Sequence, residues 1–331
     1  MIKYVGLHSP RLIFLALGIL LITGAFYSCE EEVGDAELSQ RTLDAYWDNM
    51  VLDTFPINTI ERNRTLGIGS YRRLEDDTLG KFDQRGIQVF YYRGKGPYYH
   101  PVSMLNRLNR LLQGYVITSN PNFLAVAVAT YDKLMDEAIY TDLQIWLPYR
   151  FDFYITNEDT VFAPFYSGMS QGLALSVTCY LFEITGDSSY LPIAEKLFRT
   201  LLLPKDKSMP WVVRLDTAGY YWIEEYPLPI HDRTLNGSII GTFGLYDYWK
   251  LTGSDAALKM LRGAVATYAE YGRLYRRPGE TSYYSLGYKK IANMAYHHLH
   301  ISLFDYLSRI SENPYFGAFA DTLKMDVGNG S

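Results

Sequence analysis

The sequence predicts a mainly α fold: an α/α barrel, or toroid, of helical hairpins behind a small irregular or β-containing N-terminal segment. Three observations predict it. From Pro101 onward, Val102, Leu105, Leu108, Leu111 and Leu112 recur at three- and four-residue steps, the spacing of one helical face. Next, a stop-and-restart device occurs twice: Gly186 is followed by Asp187 and Ser188, and Gly253 by Ser254. Glycine accepts the left-handed backbone just past a helix end, and Asp or Ser then caps the next helix. Finally, no strong strand alternation separates these segments. A helical solenoid is the other arrangement of hairpins, but no strict short repeat supports it.

The elements follow in order. Lys3 precedes an apolar run from Leu12 to Phe26, too short and too close to the N-terminus for a comfortable spanning helix. It ends at Ser28-Cys29, and Glu30, Glu31 and Glu32 follow. This resembles a bacterial lipoprotein signal, with a signal peptide over 1–28 cut before Cys29 and the Cys29 thiol lipidated. The acidic run resembles the export tags of surface lipoproteins, so the expected location is the outer membrane or cell surface, by a lipid anchor. Residues 29–45 read as an acidic tether. Residues 46–100 read as a short segment of strands and loops, with "GIQVFYYRG" as the clearest strand. Residues 101–331 hold the helical domain. Its pairs are 102–140, joined near Ser119-Asn120-Pro121, the two pairs around Gly186 and Gly253, and about 293–325, broken at Asn313-Pro314.

Composition narrows the function classes. Hydrophobic residues at 48% and charged residues at 20% describe a globular chain. A net charge of −5 argues against nucleic acid. Between Arg62 and Arg110, however, ten basic residues face four acids, a local excess that suits an anionic polymer or a mixed solvated surface. The chain has 30 tyrosines, whose flat faces and polar tips suit sugar rings and bulky cores alike. With Cys29 given to lipid, Cys179 has no disulfide partner and reads as a small buried apolar residue.

Three stretches carry polar and aromatic side chains that structure alone does not demand: "FYSGMSQG" (165–172), "WIEEYPLPIHDRTLNG" (222–237) and "YYSLGYKKIANMAYHHLH" (283–300). Loops between hairpins of a toroid gather at one end, so these stretches can meet. The adjacent Glu224 and Glu225 sit between rings. Either they occupy a solvated loop edge, or one carboxyl group is held in a poorly solvated pocket and made basic. His297, His298 and His300 lack the His-Glu spacing of zinc hydrolases, so no metal is expected. Carboxylate, phenol and imidazole remain, the groups of proton-transfer chemistry.

Together these stretches resemble the D-glucuronyl C5-epimerases, in their C-terminal α/α domain. The family's Tyr-Ser-x-Met-x-Gln-Gly is matched by Tyr166, Ser167, Met169, Gln171 and Gly172. Its Glu-Glu-Tyr-Pro and Leu-Asn-Gly are matched by Glu224 to Pro227 and Leu235 to Gly237, its Gly-Leu-Tyr-Asp by Gly244 to Asp247. Its Tyr-x-Leu and Tyr-His-x-x-His are matched by Tyr284, Leu286, Tyr296, His297 and His300. The likeness runs from about residue 141 to the end, with "PYYHPVSML" (97–105) as an extension.

The resemblance implies inversion of D-glucuronate to L-iduronate at C5 within an anionic, heparosan-like polysaccharide, without a cofactor. It implies Glu225 and Tyr296 as proton carriers on opposite faces of the sugar, supported by Tyr226 and Tyr284. Glu225 would then have a pKa raised toward neutrality by its aromatic surroundings. Substrate contacts fall to Tyr166, Gln171, Asn236, His297, His300, Tyr99, Arg233 and Lys289. The expected partners are that polysaccharide and, through the lipid, a membrane; the oligomeric state, a homodimer included, stays open. Two departures stand out. The family arginine three positions after the tyrosine matched by Tyr284 is Gly287 here, leaving Lys289, Lys290 or Arg233 as substitutes, and the large β-rich N-terminal part of the animal enzymes is mostly missing. A polysaccharide lyase using the same C5 carbanion and a non-catalytic glycan-binding protein are the alternatives.

Overall fold

The computed structural model describes residues 40–74, 81–156, 159–205 and 210–328. The expected signal peptide, Cys29 and most of the tether lie outside the described residues. The end of the expected tether differs from expectation: helix α1 (Gln40–Trp47) already occupies it. Its last residue explains why. Trp47 is buried, its Nε1 donates to the Leu202 carbonyl at 3.1 Å, and its ring meets Tyr221 edge-on at 5.4 Å. A buried indole with its N–H satisfied docks the short helix.

The segment before the helical domain carries β1 (Lys81–Phe82), β2 (Gln88–Tyr92) and β3 (Lys95–Tyr98), an antiparallel sheet in that order. The β2–β3 turn passes through Arg93 and Gly94, both at positive φ (49° and 77°). That turn geometry matches the right-handed twist of paired strands.

Among the described residues, four helical hairpins follow. They are α2 (Pro101–Thr118) with α3 (Pro121–Asp136), α4 (Gly168–Thr185) with α5 (Tyr190–Thr200), α6 (Leu235–Thr252) with α7 (Asp255–Tyr271), and α8 (Met294–Ile310) with α9 (Tyr315–Asp326). Between the first two hairpins lie the short strands β4 (Ile139–Tyr140), β5 (Ile145–Trp146), β6 (Pro148–Tyr149), β7 (Phe153–Tyr154), β8 (Thr160–Val161) and β9 (Phe165–Tyr166), paired β4–β5, β6–β9 and β7–β8. The antiparallel pair β10 (Val213–Leu215) and β11 (Tyr221–Ile223) precedes α6.

Local capping sets the hairpin ends. Gly186 and Gly253 close α4 and α6 at φ 70°, and the Ser254 side chain accepts from the Ala257 N–H to start α7. At α5 the cap differs from expectation: Asp187 Oδ1 accepts from the Ser189 N–H at 2.9 Å, turning the chain before the helix begins at Tyr190. Cys179 is fully buried in α4.

Packing gives two layers. Helices α2, α4, α6 and α8 form an inner row of neighbours, and α3, α5, α7 and α9 each back their own hairpin partner. The α4–α6 contact is the closest in the row. A Cβ on Gly172 would lie 2.5 Å from the Cα of Gly241, and one on Gly244 would lie 2.9 Å from the Cα of Gly172. Only glycine lets these backbones touch. The inner helices then bring their first turns together: Val102 of α2, Met169 of α4, Asn236 of α6 and Tyr296 of α8 line one cavity. Among the described residues no helix is long and apolar enough to cross a membrane.

Candidate active site

The cavity has a volume of about 430 Å³. Its acidic wall comes from the chain just after β11. The Glu224 N–H donates to the Val212 carbonyl at 2.8 Å, and the Glu224 carbonyl accepts from the Gly168 N–H at 2.7 Å. Pinned on both sides, the extended chain turns its two glutamates to opposite sides, as successive residues of a strand do.

Glu224 turns away from the cavity. Its carboxylate is buried against Arg214 Nε at 3.0 Å and His231 Nε2 at 2.8 Å. Arg214 also donates to the Leu228 carbonyl at 2.8 Å, tying down the loop beyond Pro227. A buried carboxylate held between a guanidinium and an imidazole is a structural clamp. Glu225 instead faces the cavity and, among the described residues, pairs with no guanidinium. Burial is the main cause that pushes its carboxyl up to about 7; hydroxyl hydrogen bonds from Tyr226 and Tyr284 pull the other way, and the charge of Asp232 adds to the rise. The pair therefore divides, and neither member sits on a solvated loop edge.

Three tyrosines surround Glu225. The Tyr284 hydroxyl lies 3.4 Å from both carboxylate oxygens. Tyr284 is held by its backbone: its carbonyl accepts from the Leu235 N–H at 3.1 Å, and its N–H donates to the Lys290 carbonyl at 2.6 Å. Tyr226 stacks on Phe153 with ring centroids 5.2 Å apart and planes 3° from parallel. Tyr296 stands on the first turn of α8, where Asn293 Oδ1 caps its N–H at 3.0 Å. Its ring meets Tyr284 edge-on at 5.0 Å, and the residue is 40% exposed and lines the cavity. Burial, and then the charge of Glu225, raises the pKa of Tyr296 above the ordinary phenol range, and those of Tyr226 and Tyr284 well above it. All three phenols are therefore neutral at pH 7.

Asn236 completes the wall on α6, with its Oδ1 buried and unpartnered among the described residues. Thus Glu225, Tyr226, Tyr284, Tyr296 and Asn236 share one cavity. The other residues expected to touch substrate lie elsewhere. Gln171 is fully buried and clamps backbone: its Oε1 accepts from the Leu147 N–H at 2.9 Å, and its Nε2 donates to the Ile145 carbonyl at 2.8 Å. Tyr166 packs edge-on against Trp146 at 5.4 Å. His297 accepts from the Ser282 N–H at 2.9 Å and donates to the Leu323 carbonyl at 3.0 Å, while His300 bonds Ser282 Oγ at 2.8 Å. These histidines hold up the segment that carries Tyr284 rather than facing a ligand. Tyr99 donates to Asp83 at 2.8 Å. Arg233 lies over Trp222 and Tyr271, 5.5 and 5.3 Å from their ring centroids, and Lys289 is exposed outside the cavity.

Gly287 explains the missing arginine in steric terms. A Cβ there would lie 2.8 Å from the Cα of Asp232 and 2.5 Å from the His231 carbonyl oxygen. This backbone admits no side chain at that position. Of the proposed substitutes, Lys290 comes nearest, with its Nζ 5.0 Å from the Tyr284 ring centroid.

Sequence reasoning missed several lining residues: His100, Asn106, Tyr149, Arg62 and Arg64. His100 caps α2 by accepting from the Ser103 N–H at Nδ1, 3.2 Å away. Its proton is therefore on Nε2, and burial pushes the imidazole down to about 4, so it is neutral. The His-Pro start of α2 was the available signal. Among the described residues, no group of three or more His, Cys, Asp and Glu side chains is placed to hold a metal ion.

The family model described as "D-glucuronyl C5-epimerase C-terminus" matches residues 141–324. An uncharacterized protein of Methanocaldococcus jannaschii is 32% identical over 126 residues, 37% of this chain and 40% of that protein. A D-glucuronyl C5-epimerase of Caenorhabditis elegans is 37% identical over 86 residues, 26% of this chain and 14% of that enzyme. The match thus spans less than half the length of either curated relative. Among solved structures, cellobiose 2-epimerase from Bacillus thermoamylovorans superposes with a TM-score of 0.53 over 79% of this chain and 72% of its own, at 13% identity. That is a likeness of fold.

Proposed function

The chain belongs to the D-glucuronyl C5-epimerase C-terminal family, and on that premise we propose that it inverts C5 of D-glucuronate residues within an anionic polysaccharide, giving L-iduronate. The hydrogen on C5 lies α to a carboxylate. Its removal leaves a carbanion delocalised into that carboxylate. One group must take the proton and another must supply one from the opposite face.

The observation that carries this reading is the pairing of Glu225, with a carboxyl pushed up to about 7, and the phenol of Tyr296 in the same cavity. A carboxylate of that basicity is matched to proton abstraction at neutral pH. Tyr296, neutral at pH 7, returns a proton from the other side of the sugar. Tyr284 and Tyr226 donate to Glu225 and hold it in place. The neutral Nε2–H of His100 and the side chains of Asn236 and Asn106 are donors for the substrate carboxylate, whose charge grows as the carbanion forms.

The test is incubation of glucuronate polymers in deuterium oxide. Label at C5 is the expected result. No label with any uronate polymer, from folded protein, overturns the reading. A rise in ultraviolet absorbance from unsaturated ends would instead mark elimination from the same carbanion. The absence of a side chain at Gly287 favours a second reading, a glycan-binding protein that keeps the groove; binding without exchange in the parent protein supports it.

Around this centre we also propose closure of the hairpins into a toroid and export of the chain, with a lipid on Cys29 anchoring it at the outer membrane or cell surface. Intact-mass analysis of the membrane fraction tests the anchor; an unmodified Cys29 rules it out.

A further inference from the structure

The proposed reaction occupies one end of the cavity and leaves the other end without a task. The two ends are separated along one helix. Glu225 packs on Gly237, and Arg62 pairs with Asp247. Those positions are ten residues apart on α6, about 15 Å along its axis. The cavity follows that helix: Asn236, Ile240 and Phe243 line it in turn, at the steps of one helical face.

At the far end stand Arg62 and Arg64, the cationic side chains that line the cavity among the described residues. Both bind one buried carboxylate. Arg62 Nη2 and Arg64 Nη1 each lie 2.6 Å from Asp247 Oδ2. Burial works against the charge of Asp247, but the two guanidiniums outweigh it and hold its carboxyl below the ordinary range. Arg64 reaches a second carboxylate, Glu183, at 2.9 Å. Arg62 does not. Its Nε and Nη2 donate to Asp247 and Ser176, and its Nη1 donates to no group among the described residues. Its side chain is only 4% exposed, and its guanidinium lies 5.0 Å from the ring centroid of the cavity-lining Phe243. The two guanidiniums thus meet one fully buried carboxylate, Asp247, and one partly exposed, Glu183, and on Arg62 a donor withdrawn from bulk water is left for a ligand.

We infer that this end of the cavity is an anion subsite, in which Arg62 takes the carboxylate or sulfate of a sugar residue other than the one that reacts. The reacting carboxylate is bonded to C5 and stays within reach of Glu225. It cannot also reach Arg62 along α6. The ligand is therefore an oligosaccharide stretch with acidic groups on separate residues, and a guanidinium held out of bulk water is the side chain that binds such groups most tightly. This rests on the reading of the ligand as an acidic polysaccharide.

Titration calorimetry tests it, with a trisaccharide of glucuronate residues and counterparts in which the carboxyl group of one end residue is reduced to the alcohol. Reduction at one particular end is expected to weaken binding roughly tenfold or more. Arg62→Lys keeps a positive charge against Asp247 but loses Nη1, and is expected to bind the acidic and reduced compounds about equally. Counterparts carrying a sulfate at that residue identify the group: the tighter of sulfate and carboxylate, lost in Arg62→Lys, is the one the subsite takes. Should Arg62→Lys fail to fold, the parent protein decides, because inorganic sulfate should compete with the acidic trisaccharide and not with the reduced one. Equal affinity of the parent for acidic and reduced compounds overturns the subsite, as does undiminished discrimination by folded Arg62→Lys. C5 exchange is measured separately. Arg62-dependent binding without exchange sinks the reaction and keeps the subsite, whereas exchange without discrimination sinks the subsite alone.

Discussion

The carboxylate of Glu225 rests on the backbone of Gly237. A Cβ at Gly237 would lie 2.6 Å from Cδ of Glu225, so the first turn of α6 sets the position of the proposed base. Gly237→Ala is expected to displace that carboxylate and lower C5 exchange by roughly 10²-fold, the scale of an ångström-size misplacement. Alanine favours the helix over glycine by about 0.5–1 kcal/mol, so melting should change little. Exchange equal to the parent's would sink the assigned contact.

Glu225→Gln is expected to abolish exchange while stabilising the protein at high pH. The folded carboxyl titrates at about 7 against a usual 4.5, so the folded state holds a proton that the unfolded state has lost between those values. Stability attached to this group is complete below about 4.5 and is lost as pH rises through about 7, amounting to at most about 3 kcal/mol. Denaturant melts at pH 8 should show a gain of about 1–3 kcal/mol for the variant, and melts near pH 4 almost none. A gain of equal size at both pH values would contradict the assigned titration.

For exchange that begins with proton removal by Glu225, kcat/KM should rise with pH and level off above about 7, because the carboxylate form is the base. Tyr284→Phe removes the hydroxyl 3.4 Å from both carboxylate oxygens, a donor that favours the charged form. The inflection should therefore move to higher pH in that variant. An inflection that stays put would mean that this hydroxyl does not act on Glu225.

Tyr296→Phe keeps the ring against Tyr284 and deletes only the phenol oxygen. Exchange should fall roughly 10²–10⁴-fold. Because the side chain is 40% exposed, stability should stay within about 0.5 kcal/mol of the parent. Retained exchange in a well-folded variant would remove Tyr296 from the mechanism.

Ser282 links both buried histidines to the segment that presents Tyr284. Ser282→Ala is expected to cost about 1–3 kcal/mol and to lower exchange through a misplaced Tyr284. Burial pushes His297 down and His300 down to about 3. Their contribution is present above the unfolded pKa of about 6.5 and is lost as pH falls below it. Acid unfolding followed by circular dichroism should show that loss, and its absence would mean that the pair titrates normally.

The hairpins could be read along the chain because caps are local chemistry. Gly186, Gly253 with Ser254, and Asn313-Pro314 end and restart helices through neighbours one to three positions away. The charge pattern likewise marked a basic stretch that contains Arg62 and Arg64 without singling either out, and the run around Glu225 as a place where carboxylates meet rings. Their tasks were not legible there. Glu224 and Glu225 are chemically identical neighbours, and what separates them is remote: Arg214 and His231 on one side, Gly237 and Tyr284 on the other. Along the chain His297 and His300 resemble ligand contacts, whereas in the fold Ser282 and Leu323 lie against them. A carboxylate's basicity and a guanidinium's spare hydrogens depend on which groups replace water around them. Those groups come from segments far apart in the chain, so only the packed molecule decides them.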